Sequence, residues 1–186
     1  KYNVPRVVFV NKMDAIGADF FMAANTIVDR LGAKSTPIQL PIGVEEDFIG
    51  LIDIVEQKAH MFADVSQKSD DIVDVPEEYK AQVAEYREKL FDLLSDFDDD
   101  FMMMILDGEE PSVDQIKSAI RKAVITGEFF PVMCGAAYKN KGVIAMLDAV
   151  IEYLPSPVDV PAIQGTLPNG QPDTRESSDE APFSAL

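Results

Sequence analysis

Val7-Val8-Phe9-Val10-Asn11-Lys12-Met13-Asp14 joins a continuous β-branched and aromatic run to a polar tetrapeptide. A run apolar on both faces suits a buried strand of a parallel sheet. In open α/β sheets, ligands lie beyond the carboxyl ends of the strands. Asn11 to Asp14 therefore stands where a ligand is expected. The residue types suit a guanine ring. Asp14 can accept from both N1–H and the exocyclic amino group of guanine, and adenine offers neither donor in that arrangement. Asn11 can bond the Hoogsteen edge and tie neighbouring loops together, and the Lys12 stem can lie along the flat face of the base. Such a site rejects a base that leaves its buried polar groups unpaired.

Downstream, Asp19 reads as a cap for a helix with Phe20, Ala23, Ala24, Ile27 and Leu31 on its inner face and Gly32 as its stop. Pro37 to Ile42 reads as a second strand. Gly50–Ile54 and Lys58–Phe62 read as two short strands around a turn near Glu56. Ser66 to Asp74 has the composition of an exposed loop. A helix-rich stretch follows. Asp74, Pro76 and Glu77 suit an N-terminal cap. Tyr79, Val83, Tyr86, Leu90, Leu93 and Phe97 form an amphipathic stripe. Phe101 to Leu106 is a short helix ending at Gly108. Ser112 and Gln115 spell a capping box for a helix faced by Val113, Ile116, Ile120 and Ala123, and Gly127 ends it. Phe129 to Cys134 returns to strand character, and Gly135 to Gly142 is a loop. Val143, Leu147, Val150, Ile151 and Leu154 stripe the last helix. Pro155, Pro157 and Pro161 make a stiff exit into a polar tail with a turn at Asn169-Gly170.

The loop after the third strand carries the second signal, Cys134-Gly135-Ala136-Ala137. Small residues let backbone N–H groups approach a ligand. An N–H there can donate to guanine O6, where adenine carries an amino group.

Bulk composition narrows the classes. The chain has 186 residues, enough for one domain or one domain with appendages, and 47% of them are hydrophobic. A net charge of -17 argues against nucleic-acid binding through its general field. The single cysteine, Cys134, excludes an intrachain disulfide and a Cys cluster, and fits a reducing cytoplasm. Apolar stretches are broken by charge well short of a membrane span. His60, the single histidine, reads as a structural or surface residue, Cys134 as a packing residue, and Met102-Met103-Met104 as core filling. Asp98-Asp99-Asp100 lacks the spaced ligands of a calcium loop and reads as a helix start. Glu78, Glu85, Glu88 and Asp92 read first as a solvated helix face and second as a docking face for a basic partner.

These loops carry a family resemblance. Asn11-Lys12-Met13-Asp14 resembles the fourth GTPase motif and Gly135-Ala136-Ala137 the fifth. Gln39–Gly43, Gly50–Asp53, Lys139–Val143, Leu147–Val150 and Tyr153–Pro157 are similar to the elongation factor G family, and the likeness runs through essentially the whole chain. The resemblance implies an α/β fold, a partial P-loop-NTPase-type parallel sheet with helices, plus an inserted α+β subdomain. Residues 1–42 and 128–158 are expected as the C-terminal half of a GTPase domain, 43–127 as the insert, and 159–186 as a linker and the start of a β-barrel domain. Both ends read as cut from something longer.

The resemblance further implies a ribosome-dependent GTPase that drives translocation, with GTP or GDP bound through Asn11, Lys12, Asp14, Ala136 and Ala137, in the cytoplasm. The insert would meet the ribosomal stalk protein. A tetracycline-protection or release-factor-recycling GTPase is the related alternative, and a pure protein-interaction module is the alternative of another class. Position 136 is Ala where the fifth motif usually has Ser, which removes a hydroxyl that supports Asp14. The sequence has no Gly-x-x-x-x-Gly-Lys-Ser/Thr loop and no Asp-x-x-Gly beside a histidine. Phosphoryl transfer is mostly positioning and charge stabilisation at the phosphates. This stretch is therefore expected to be inactive by itself, with the magnesium ligands of the parent protein lying outside it.

Overall fold

The computed structural model describes residues 4–62, 70–159, 162–178 and 180–181. The chain divides into two compact units, residues 1–154 and 155–186.

In the first unit, β1 (Val8–Val10) runs parallel to β7 (Phe129–Cys134), and β2 (Lys34–Pro37) pairs parallel on the other side of β7. The register sets Val10 against Cys134, so both candidate loops leave the same end of the sheet. Helix α1 (Phe20–Leu31) connects β1 to β2. Asp19 caps it by accepting from the Met22 N–H at 2.9 Å, and Gly32 closes it in the left-handed conformation.

The strand expected over Pro37–Ile42 is split. The Ile38 N–H donates to the Val132 carbonyl at 2.9 Å, and its own carbonyl accepts from Ile54 N–H at 3.0 Å. The chain thus leaves β7 at Ile38 and continues as β3 (Gln39–Ile42), the first strand of a second sheet. Pro37 and Pro41 have no N–H to give, which weakens an uninterrupted ladder. The second sheet is antiparallel, in the order β3, β4 (Gly50–Asp53), β5 (Lys58–Met61), β6 (Asp71–Asp74). Asp53 builds the β4–β5 turn: its Oδ1 accepts from both Val55 N–H and Glu56 N–H at 2.8 Å.

Part of the expected loop at 66–74 is therefore a strand; residues 66–69 lie outside the described residues. Ile72 and Val73 supply the β-branched pair that the flanking acids obscured. The exposed, acidic β6 suits a sheet edge. Asp74 is not a helix cap but pairs with Lys58 across the ladder, Nζ to Oδ1 2.7 Å.

Helices α2 (Glu77–Ser95), α3 (Asp99–Leu106) and α4 (Val113–Ile125) follow. The capping box at Ser112 and Gln115 forms in both directions. On α2 the buried line is Val83, Arg87, Leu90 and Leu94, with Tyr79, Tyr86, Leu93 and Phe97 packed beside it. Arg87 is a buried cation that hydropathy reads as surface. Its Nη1 donates to the carbonyls of Ile54 and Val55 at 3.0 and 3.1 Å, and its Nη2 to Glu110 Oε1 at 2.6 Å. Phe21 of α1 stacks on Tyr86 of α2 with centroids 5.8 Å apart. The material between β3 and β7 thus shares one core with the parallel sheet.

Three sequence expectations need correction. Met103 is 54% exposed and Met102 and Met104 are only partly buried, because Phe101 and Ile105 turn inward instead. Val113 is exposed at the first turn of α4. On α5 (Val143–Tyr153) the inward line is Ala145, Met146, Ala149 and Tyr153, while Leu147 and Ile151 are 52% and 77% exposed. Small side chains let that face approach closely, so the alanines are buried and the larger branched residues point out. Arg121 Nη1 holds the helix end by donating to the carbonyls of Glu152 and Leu154 at 2.7 and 3.0 Å.

Cys134 is fully buried, and burial pushes its thiol well above the ordinary range, as suits a packing residue. No helix among the described residues is long and apolar enough to cross a membrane.

The second unit holds a short 3₁₀ turn, Pro157–Asp159, and a hairpin of β8 (Ile163–Thr166) with β9 (Pro172–Arg175), turned at Asn169-Gly170 with Gly170 at φ +83°. Pro161 and the expected barrel strand at 182–186 lie outside the described residues.

Arg87→Ala strands two carbonyls, and should cost about 2–4 kcal/mol in urea unfolding. Glu110→Gln, at the exposed end of the pair, should cost under about 1 kcal/mol. Equal losses from the two would count against the carbonyl clamp. Burial lifts the Asp53 carboxyl from 3.8 to about 6. The native state then holds that proton more tightly than the unfolded chain, so this group adds stability as pH falls from about 7 to 4. Asp53→Asn, which keeps the turn acceptor, should remove that component, up to about 3 kcal/mol across the window. Parallel stability–pH curves for the two proteins would refute it.

Candidate functional site

The parallel ladder does not stop at the strand ends. Gly135 N–H donates to the Val10 carbonyl at 3.0 Å, and Met13 N–H donates back to the Gly135 carbonyl at 3.1 Å. These bonds carry the two loops side by side past the sheet. Gly135 is fixed by space: a Cβ there would lie 2.4 Å from the Phe9 ring and 2.6 Å from the Lys141 carbonyl. Met13 points inward, 1% exposed, and anchors its loop in the core, while Asn11 and Lys12 are exposed. Lys12 sits at φ +62°, a conformation uncommon outside glycine and concentrated at functional turns. The Asn11 side chain steadies it, with Oδ1 accepting from Lys12 N–H at 2.8 Å.

The same Asn11 Oδ1 accepts from Ala137 N–H at 3.0 Å. Asn11 thus ties the two loops together, one of the two roles its chemistry suggested. The Ala137 N–H that sequence reasoning reserved for a purine oxygen is engaged by Asn11 in this structure. Ala136 is buried, and its backbone exchanges hydrogen bonds with Lys141 at 3.0 and 3.1 Å, which closes a tight loop over a 3₁₀ turn at Ala137–Lys139. Ala137 itself is exposed.

Asp14 pairs with Lys139, Nζ to Oδ2 2.8 Å. Hydrogen bonding from Lys139 holds its carboxyl below the ordinary 3.8, against a smaller opposing pull from burial. Asp14 is therefore an anion at neutral pH, as an acceptor of two base N–H groups must be.

Sequence reasoning missed three contributors. Lys139 lies within a stretch quoted for its family likeness, but nothing local marked it as the partner of Asp14. Glu45 comes from the loop after β3: its N–H donates to the Met13 carbonyl at 3.1 Å and its Oε1 accepts from Gly17 N–H at 2.7 Å. Lys141 runs beneath the site, donates to the Phe48 carbonyl and lies 5.7 and 5.6 Å from the Phe48 and Phe62 ring centres. Each is recruited by tertiary folding across sequence distances that no local pattern spans.

Asn11, Lys12, Asp14, Ala136 and Ala137 thus gather at one end of a parallel sheet, with an anionic acceptor and an amide side chain on one loop and a small-residue backbone on the adjoining one. Residues 1–156 match the family model described as the elongation factor Tu GTP binding domain. The chain belongs to that family. As a member of the elongation factor Tu GTP-binding family, it also superposes on a crystal structure from Thermus thermophilus, with a TM-score of 0.73 and 27% identity. The match covers 86% of this chain and 24% of that one, so the chain spans about a quarter of the length of that relative. The translational GTPase family binds guanine nucleotides, and the donor and acceptor set fits the base half of such a ligand. Asp14 would hold the ring edge and Lys12 its face.

Lys139→Met should raise the Asp14 carboxyl midpoint toward its ordinary value in a carbon-detected NMR titration. Because a depressed carboxyl stabilises above its unfolded midpoint and loses that stabilisation as pH falls, the variant should be less stable than the parent at neutral pH, and the gap should close as pH falls below about 4. An unmoved midpoint would show that Lys139 does not hold Asp14.

Proposed function

We propose that this chain is the guanine-recognising half of the GTPase domain of a ribosome-dependent translational GTPase of the elongation factor G type, which promotes translocation. The observation that carries the reading is the bond from Ala137 N–H to Asn11 Oδ1, because it joins the two loops that guanine discrimination needs. In this reading Asp14 accepts from N1–H and the 2-amino group, Lys12 covers the ring, and Asn11 serves the Hoogsteen edge. Ala136 shapes the loop. The Ala137 N–H turns from Asn11 to O6, or shares itself between them, when the base enters. Residues 1–42 and 128–158 belong to the GTPase domain proper, 43–127 to an inserted subdomain, and 159–186 lead toward a β-barrel domain. The phosphate loop, the switch segments and the magnesium ligands belong to other parts of the protein. This stretch alone is inactive, and the whole acts in the cytoplasm on GTP and GDP.

A second role is supported by α2, where Glu78, Glu85, Glu88 and Asp92 are all exposed along one polar face. That face is the surface we assign to the ribosomal stalk protein. A titration with the stalk protein's C-terminal domain that gave no response at high micromolar concentration would remove this role.

Guanosine and GDP should shift the amide resonances of Lys12, Asp14 and Ala137, with affinities near the millimolar end of the range, a binding free energy of about -4 kcal/mol. Adenosine should leave them in place, and Asp14→Ala should abolish the guanosine response. GTP with magnesium should bind within about threefold of guanosine and should not turn over, since the phosphates find no positioned charge here. An equal response to adenosine would end the guanine assignment, and turnover would end the claim of inactivity.

A further inference from the structure

The connection between β3 and β4, residues 43–49, reaches both base loops. Its shape is set at its first residue. Gly43 lies at φ +76°, and a Cβ there would meet the Asp47 carbonyl oxygen at 1.8 Å, so only glycine fits. The Phe48 N–H donates to the Glu45 carbonyl at 3.2 Å, and the Ile49 N–H donates to the Ile42 carbonyl at 3.0 Å. Phe48 is wholly buried, with its ring edge-on to Phe62 at 5.0 Å. The turn is therefore a fixed part of the antiparallel sheet.

Two groups leave this turn for the site. The Phe48 carbonyl accepts from Lys141, whose backbone is paired with Ala136. Glu45 takes the other loop at two points. Its N–H holds the Met13 carbonyl at 3.1 Å, and its Oε1 accepts from the Gly17 N–H at 2.7 Å. Met13 and Gly17 bracket Asp14, so one residue grips both ends of the bend that carries the carboxylate. Within that bend, Ala15 N–H donates to the Lys12 carbonyl at 3.0 Å and Ala18 N–H to the Ala15 carbonyl at 3.1 Å. Glu45 does this from φ +55°, a conformation that glycine adopts freely and other residues resist. Such strain persists where the surroundings over-determine it, and it gathers at binding sites.

We propose that Glu45 is a positioning residue for guanine recognition: by fixing Met13 and Gly17 it aims the Asp14 carboxylate at N1–H and the 2-amino group together. This inference rests on the base-site reading given above. Accepting two parallel N–H groups demands a particular carboxylate orientation, whereas accepting one does not. Glu45 therefore governs discrimination against hypoxanthine, which keeps N1–H and O6 but lacks the 2-amino group.

The test is an NMR titration of the whole chain with GDP and with inosine diphosphate, repeated on Glu45→Gly and Glu45→Gln, with a thermal melt of each protein. The unsubstituted chain should favour GDP by about tenfold, the worth of one charge-assisted bond. Glu45→Gly removes the strain and keeps the backbone bond to Met13 but frees Gly17. It should weaken GDP by about tenfold and bring the two diphosphates within about twofold of each other. Glu45→Gln keeps an oxygen that accepts from Gly17, and should hold the preference to within about threefold. A merely structural Glu45 would move the melts and leave the ratio alone. An undiminished ratio in Glu45→Gly overturns the inference and leaves the base site standing. Equal collapse of the ratio in both variants also overturns it, because the bond to Gly17 would then not be what matters. In the unsubstituted chain, GDP should slow hydrogen exchange at the Gly17 amide more than inosine diphosphate does, since the gripped bend and the two-bond contact stabilise each other. Equal slowing at saturation overturns the inference even if Glu45→Gly does not melt cooperatively. An unsubstituted chain that binds ADP as well as GDP removes the base site, and this inference with it.

Discussion

The pairing of β1 with β7 is the constraint from which the rest of the first unit follows. The two strands stand far apart in sequence, yet their register places Val10 opposite Cys134, and the reciprocal bonds of Gly135 extend the ladder beyond the last paired residues. Two short, exposed loops would otherwise wander independently. Held by this ladder, by the inward Met13 and by Asn11, they present a fixed arrangement of one carboxylate, one amide side chain and a small-residue loop. Glu45 grips the first loop from its other flank. The site is thus built on rigid elements, and its exposed groups add chemistry to a position that packing has already set.

The long excursion between β3 and β7 is not hung on the sheet by a linker. Its helix α2 stacks on α1 through Tyr86 and Phe21, and its buried Arg87 clamps the β4–β5 turn by two carbonyls. Charged residues seldom sit in a core unless they are fully bonded. Here the guanidinium serves as a fixed fork that closes a hairpin end whose carbonyls would otherwise be buried unpaired. The acidic surface and the shared core are therefore compatible: most acids line outer faces and the edge strand, Asp53 is spent on its turn, and Arg87 enters the core with its bonds made.

Much of this was legible in the sequence, and the limits have physical causes. Caps announced themselves because Asp19, Gly32 and the Ser112–Gln115 box act within a few residues of themselves. The strand leading into Asn11-Lys12-Met13-Asp14 and the one ending in Cys134 were legible because strands of a parallel sheet run continuously apolar, although β1, at the edge of the sheet, is only half-buried where a buried strand was expected. The inner face of α5 was misread. Periodicity favours large residues, whereas close packing chose Ala145 and Ala149 and turned Leu147 and Ile151 outward. Strand β6 was hidden by acids that suit an edge, and Arg87 by its charge. Lys139 and Glu45 could not be found locally at all, since their roles exist only once distant segments meet.

Ile38 has one further bearing on how the chain can vary. It is the whole connection between two ladders, giving its N–H to one and its carbonyl to the other. Side chains alternate along a strand, so this single residue sets the phase between the sheets. With it, Leu40 and Ile52 face one way and Gln39 and Asp53 the other. Inserting or deleting one residue there would invert that assignment, turning two wholly buried aliphatics toward α5 and driving a carboxylate into their former place. The junction tolerates exchange of one apolar side chain for another far better than any change in its length.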